Sequence, residues 1–256
     1  DADEDADYGY RLTGNASLLK GGQASLSIRA QQADLARIQV LEGSLAFADG
    51  AGFRDGATVS VGRGATLDLS AASATSVSAL EGEGAVTLGA GGLTLSGADP
   101  IQVDTTFSGA DGALIVASGA HVRLNADNDH ALTTVAGELT IADGAALGAP
   151  DGRLHLAGGR LVIDATGAVS LDSRIAVTGT ALIDTGAADL ALNRALSGAG
   201  TLLVNGGGQL ALNADASIDA SGRVYDVTHN DVSPNTGLWA TAVAASNAGA
   251  EGDPSA

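Results

Sequence analysis

Cysteine is absent, lysine occurs once as Lys20, and aromatic residues are limited to Trp239, three Tyr and three Phe in 256 residues. Without Cys there is no disulfide framework and no thiol nucleophile, so packing and backbone ladders must supply the stability. So few aromatics exclude the usual core of a globular enzyme, where these residues anchor the interior and line the pocket. The core is therefore expected to be narrow, layered and aliphatic. Basic residues are scarce as well, 12 against 30 acidic, for a formal charge of −18. Phosphate backbones and anionic lipid surfaces are bound by Lys and Arg, so neither nucleic acid nor an anionic membrane is an expected partner. The charge instead favours solubility and repulsion between copies. Four prolines are few for this length, and no run of 18 apolar residues or cationic start with an apolar stretch occurs. The expectation is a mature, soluble piece whose targeting and anchoring parts lie elsewhere.

What is abundant is glycine, 37 residues, about twice the usual share of roughly 7%. Ala, Val, Leu and Ile dominate an apolar content of 45%. From about Leu12 onward these residues fall in short alternating runs punctuated by Gly, Asp and Asn, such as ATLDLS, ELTIADG, RLHLAGG and DLALN. Each run sets two apolar residues two apart, Leu67 with Leu69 or Leu139 with Ile141, so both point to one side of a strand. Disordered chains lack such alternation.

Run centres lie roughly 6 to 10 residues apart, too close for strand plus hairpin in a sandwich or barrel. A coil in which each strand turns a corner into the next satisfies the spacing. The fold class read from the sequence is all-β: a single right-handed parallel β-helix, with about three short strands and roughly 20 to 25 residues per turn. About nine turns would make a rod on the order of 40–45 Å long at ~4.8 Å per turn. The boundaries are an acidic, disordered start over 1–11, the β-helix over 12–222, and a cap or linker over 223–256. In that last part Ser233-Pro234 opens a candidate helix carrying Trp239.

Two segments form an internal repeat. ALEGEGAVTLGAGGLTLSGAD (79–99) aligns with ALSGAGTLLVNGGGQLALNAD (195–215), sharing A-L-x-G-x-G, an apolar pair, G-G and L-x-L. The repeated positions are Leu80, Gly82, Gly84, Gly91 and Gly92 in the first copy. They are Leu196, Gly198, Gly200, Gly207 and Gly208 in the second. Glycines bracket each strand where corners must be tight, which marks geometry rather than chemistry.

In these positions the chain resembles the passenger-associated repeat of bacterial autotransporters, the self-associating adhesin type included. The motif covers about a sixth of the chain, and the same Cys-free, glycine-rich texture covers most of the remainder. The resemblance implies type V secretion and folding of the passenger outside the cell as a β-helix. It also implies an outer-membrane β-barrel translocator as partner, and localisation at the cell surface or in the secreted fraction. The aromatic girdles of such a barrel are not present in this sequence. A Cys-free passenger also suits a chain that crosses an oxidising periplasm unfolded.

Catalytic motifs are missing. There is no G-x-S-x-G elbow, no HExxH, no EF-hand loop, no GxxxxGK and no calcium nonapeptide. His121, His130, His155 and His229 are scattered, and His121 and His155 are expected to face solvent. Asp164, Asp172 and Asp184 are the carboxylates that successive turns of a polysaccharide-acting β-helix enzyme would bring together. No cofactor is expected; Asp1–Asp7 and Asp127-Asn128-Asp129 offer Ca²⁺ at most a weak oxygen site. The expected function is therefore a non-enzymatic adhesin or self-association stalk at the surface, with other copies of itself or host and bacterial surface molecules as partners. A polysaccharide lyase or hydrolase is the alternative, and a passive spacer or autochaperone stem the third.

Overall fold

In the computed structural model, which describes residues 5–9, 14–29, 34–48, 50–194, 196–213 and 223–226, the chain winds as a parallel β-helix of about nine turns. All strand pairs are parallel, and the only helical element among the described residues is the 3-10 turn Gly144–Leu147. Parallel pairing follows from the wiring, because each strand bonds to the strand one full turn earlier rather than to its neighbour in sequence.

Three faces close the coil. In the C-terminal half each turn is three separate strands: Arg153–Ala157, Arg160–Ile163 and Ala168–Leu171 are followed by Arg174–Thr178, Thr180–Asp184 and Asp189–Leu192. The first of each trio lies on what we call face two, the second on face three and the third on face one. Elsewhere neighbouring faces fuse. Thr75–Glu81 bends at a register shift, pairing Thr75–Val77 with Leu93–Leu95 and Ala79–Glu81 with Thr58–Ser60. Thr106–Val116 likewise runs from face one to face two through an irregularity between Gly109 and Ala113.

Alternation then makes the core. Inward residues stack on their counterparts in columns, for example Leu93, Leu114, Thr133, Leu154, Ile175 and Leu196 on face two. Val122, Leu139, Leu161, Ile183 and Val204 form the column on face three. Nearly every member is buried, and the interior is aliphatic except for a few residues such as Phe47 and Phe53, whose rings meet edge-on at 5.2 Å. A turn takes 21 residues from Leu154 to Ile175 and contracts to 17 from Val122 to Leu139.

The ladder passes both boundaries read from the sequence. Ala6–Tyr8 pairs with Leu26–Ile28, so part of the segment expected to be disordered is a rung, and Arg223–Asp226 pairs with Thr201–Val204 beyond residue 222. The first rung was concealed by its charge: Asp5 accepts the amide of Ser25 at 2.9 Å and Asp7 pairs with Arg29 at 2.6 Å. Ser233, Pro234 and Trp239 lie outside the described residues.

The two repeat copies occupy different faces. Leu80 begins its copy on face three, in line with Val59, whereas Leu196 stacks on Ile175 of face two. Both leucines are buried. What recurs is the corner: Gly84 N donates to Val61 O at 3.0 Å and Gly200 N to Val177 O at 3.0 Å. Just before it Gly82 (φ +100°) and Gly198 (φ +105°) cross so close to those same carbonyls that a Cβ would collide with the oxygen. Gly91, Gly92, Gly207 and Gly208 lie in the next corner of each copy; Gly92 has φ +77°, and a Cβ on Gly208 would strike Ala188 O.

Gly82→Ala and Gly198→Ala should each lower stability by about 2–4 kcal/mol, since positive φ and a steric clash add. Gly64→Ala, also at positive φ (+79°) but with open space around it, should cost only about 1 kcal/mol. Urea unfolding of the three variants checks this order.

Candidate functional site

The outer faces carry most of the polar chemistry, and the ladder decides which groups meet. Outward residues stack as inward ones do, so a side chain's nearest neighbours are about one turn away in sequence. Arg63 pairs with Glu83, Arg194 with Asp151 at 2.9 Å two turns away, and Arg123 with Asp164 at 2.6 Å, also across two turns. Amides do the same: Asn125 donates to Asp104 at 2.8 Å, Asn193 donates to Asp172 at 2.6 Å, and Asn213 donates to Asn193. Lys20 sits where Val40 and Val61 stand in the next turns. It is buried, and its ammonium donates to Gly22 O at 2.7 Å and to Gly21 O and Glu42 O at 3.1 Å each.

The densest group lies on face three. His121, Glu138 and Arg160 are in register on consecutive turns. The Arg160 guanidinium reaches down to Glu138 at 2.8 Å and up to Asp184 at 2.5 Å. His121 Nδ1 lies 3.4 Å from Glu138. Beside them an open cleft of about 300 Å³ follows the corner between faces two and three, floored by Gly119, Gly137, Gly158 and Gly159 and walled by Glu138 and Arg160. The floor is shallow because the corner lacks side chains.

Glu138 and Arg160 line this cleft and Asp184 lies against Arg160, which gives the two carboxylates and an arginine that a glycan-cleaving β-helix would need. Their electrostatics point another way. The hydrogen bond from Arg160, followed by one from the Gly186 amide, holds the Asp184 carboxyl below its ordinary value, and the bond to Asp184 in turn raises Arg160. A general acid requires a carboxyl pushed up, by burial or a like charge, so that it keeps its proton near neutrality. Here one guanidinium is shared between two carboxylates and is spent as a strap joining three turns.

The three aspartates named from the sequence are not brought together. Asp164 pairs with Arg123, Asp184 with Arg160 and Asp172 with Asn193, the last at a different corner of the coil. In Asp127-Asn128-Asp129 the amide turns inward: Asn128 Oδ1 accepts the amide of Phe107 at 2.7 Å, and Nδ2 donates to Ala146 O at 2.7 Å. The triplet therefore does not present three converging oxygens to a cation. Of the acidic run Asp1–Asp7, the described Asp5 and Asp7 are used by the next turn, and the remaining acids lie outside the described residues. His121 is exposed and half-buried His155 meets Thr178 Oγ1 at 2.9 Å, as outward residues do. His130 is fully buried, and His229 lies outside the described residues.

Sequence reasoning missed the Arg160 strap and the burial of His130. The strap has no local signal, because its partners are 22 and 24 residues away. For His130 a weak signal existed: DHALTTV breaks the apolar alternation, and Thr133 stands in a column otherwise of Leu and Ile.

Arg160→Gln should return Asp184 toward the ordinary carboxylate value of 3.8. Both side chains keep some solvent contact, so the stability lost is about 1 kcal/mol or less. A depressed carboxyl stabilises the fold above its unfolded value and stops doing so as pH falls through its folded one. The difference between variant and wild type should therefore be present at pH 7 and shrink as pH falls below the ordinary carboxylate value of 3.8, followed by urea unfolding over that range.

Compared with known protein families, with curated proteins and with solved structures, the chain matches none.

Proposed function

We propose that this rod is a structural and interaction module, an adhesin or self-association stalk of the autotransporter-passenger type that works at the cell surface. The observation that supports the reading best is the way polar side chains are used. The ion pairs and amide contacts of the outer faces link one turn to the next, which suits a stiff extended scaffold rather than a poised active centre. The two glycine-leucine segments support the passenger assignment, because the same corner is built twice on different faces. Export through an outer-membrane β-barrel belongs to the same proposal.

Binding in such a module is lateral. A regular wall of Asp, Asn, Thr and Ser offers many weak polar contacts, and affinity accumulates with the length of the overlap. Partners are other copies of the rod or host and bacterial surface molecules. At −18 per copy, two rods approach only when the charge is screened or bridged.

The alternative, a polysaccharide-acting enzyme, draws on the cleft beside Arg160. It would require Glu138 or Asp184 to be released from the guanidinium on substrate binding.

Sedimentation velocity of the purified chain tests the proposal. Association should strengthen as NaCl is raised and strengthen further with millimolar Ca²⁺; weakening under both would contradict it. Release of reducing or unsaturated sugar ends from an acidic polysaccharide, lost in Glu138→Gln, would establish the enzymatic reading instead.

A further inference from the structure

One layer of the rod is built differently. Face one is a continuous ladder up to Asp129 and His130, which pair with Ser108 and Gly109 below. The next strand of that face, Ala168–Leu171, pairs only with Asp189–Leu192 above it. Between them no strand bridges the gap, and the 3-10 turn Gly144–Leu147 fills the layer.

A short 3-10 turn leaves carbonyls without helical partners. Here the layer below receives three in succession. Asn128 N donates to Ala145 O at 3.0 Å, Asn128 Nδ2 to Ala146 O at 2.7 Å, and Thr133 Oγ1 to Leu147 O at 2.9 Å. Thr133 has given its one proton to Leu147, so its contact with His130 Nε2 at 2.7 Å must be donated by the imidazole. That fixes the neutral Nε2–H tautomer. The other nitrogen, Nδ1, is buried without a partner. The ring meets Phe107 edge-on, centroids 6.0 Å apart, and the backbone carbonyl of His130 accepts the amide of Ala149 at 2.9 Å.

We propose that His130, Thr133 and the Gly144–Leu147 turn form an acid-released latch: protonation expels the imidazole from the core and opens face one at this layer, while faces two and three stay laddered. A proton on Nδ1 creates a donor with no acceptor and a charge in a dry site, a combination the interior does not tolerate. The charged groups on the packed elements are Asp129 beside the ring, Asp111 on the strand below, Asp143 capping the turn, Asp151 in the loop after it and Arg153 on the strand above. All five are exposed. The ionised Asp129 favours the imidazolium even in the buried position, but by less than burial disfavours it. Burial, opposed by Asp129, lowers the His130 pKa from 6.5 to about 4. The closed latch is therefore favoured above pH 6.5 and loses that advantage as pH falls toward about 4. Opening would bare Phe107, Ala146 and Leu147, all buried in the closed layer.

Hydrogen exchange of the full chain between pH 7 and pH 4, corrected for intrinsic rates, tests the latch. The opening equilibrium at the amides of Asn128, Gly148 and Ala149 should rise roughly 100-fold, with little change at Leu161 or Ile183. In His130→Gln, which keeps a donor for Thr133 but does not titrate, the rise should vanish. An equal rise in both proteins, or none in the wild type, overturns the proposal. Should the variant fail to fold, imidazole NMR of the wild type decides: titration of His130 near 6.5 in the folded rod refutes the latch, and titration near 4 accompanied by local opening sustains it.

Discussion

The constraint on which the rest depends is the ~4.8 Å rise of a parallel ladder. At that spacing every side chain lies on its counterpart one turn earlier, so a residue must suit the column as well as its own strand. Inward, this selects aliphatic residues that stack without voids, as in Leu139, Leu161, Ile183 and Val204. At corners it selects residues without a Cβ, because backbone passes over backbone at contact distance. The scarcity of aromatics and the abundance of glycine are two results of one geometry.

The same spacing explains the surface. Opposite charges stacked on neighbouring turns attract and like charges repel, and Arg63, Arg123, Arg160 and Arg194 each meet a carboxylate one or two turns away. Arg160 between Glu138 and Asp184 separates two carboxylates of face three and offsets part of their charge. Such pairs add little stability singly, yet they consume the groups a catalyst would need free. A chain built this way gains stiffness and a repetitive wall, and interaction along that wall is the use these properties suit.

Legibility in the sequence followed the range of the determining contacts. The strand doublets Leu67–Leu69 and Leu139–Ile141 were readable because alternation is a property of adjacent residues, and the spacing of runs gave the winding and the number of turns. Fusion of two faces in Thr75–Glu81 was not readable, since bend and corner differ only in a register shift against the neighbouring turn. The rung at Ala6–Tyr8 has no apolar alternation to mark it, because its acids serve as partners of Ser25 and Arg29 one turn on. The polar layer of Asn128, His130 and Thr133 depends on a turn some 14 to 18 residues further on, and no local pattern announces it. Sites on a coil are assembled across turns, so their chemistry becomes visible only once the register is known.

Register is therefore what most needs measuring, and a chain without cysteine allows it directly. Ser170 and Ala191 are paired neighbours on consecutive turns of face one, both reachable from solvent. Cysteines placed there would have Cα atoms about 5 Å apart, within the range a disulfide spans. With this register, Ser170→Cys with Ala191→Cys forms an intramolecular disulfide on mild oxidation of the folded chain, detected by mass spectrometry. Failure to form it, with both thiols remaining free in the folded protein, would contradict the single winding ladder.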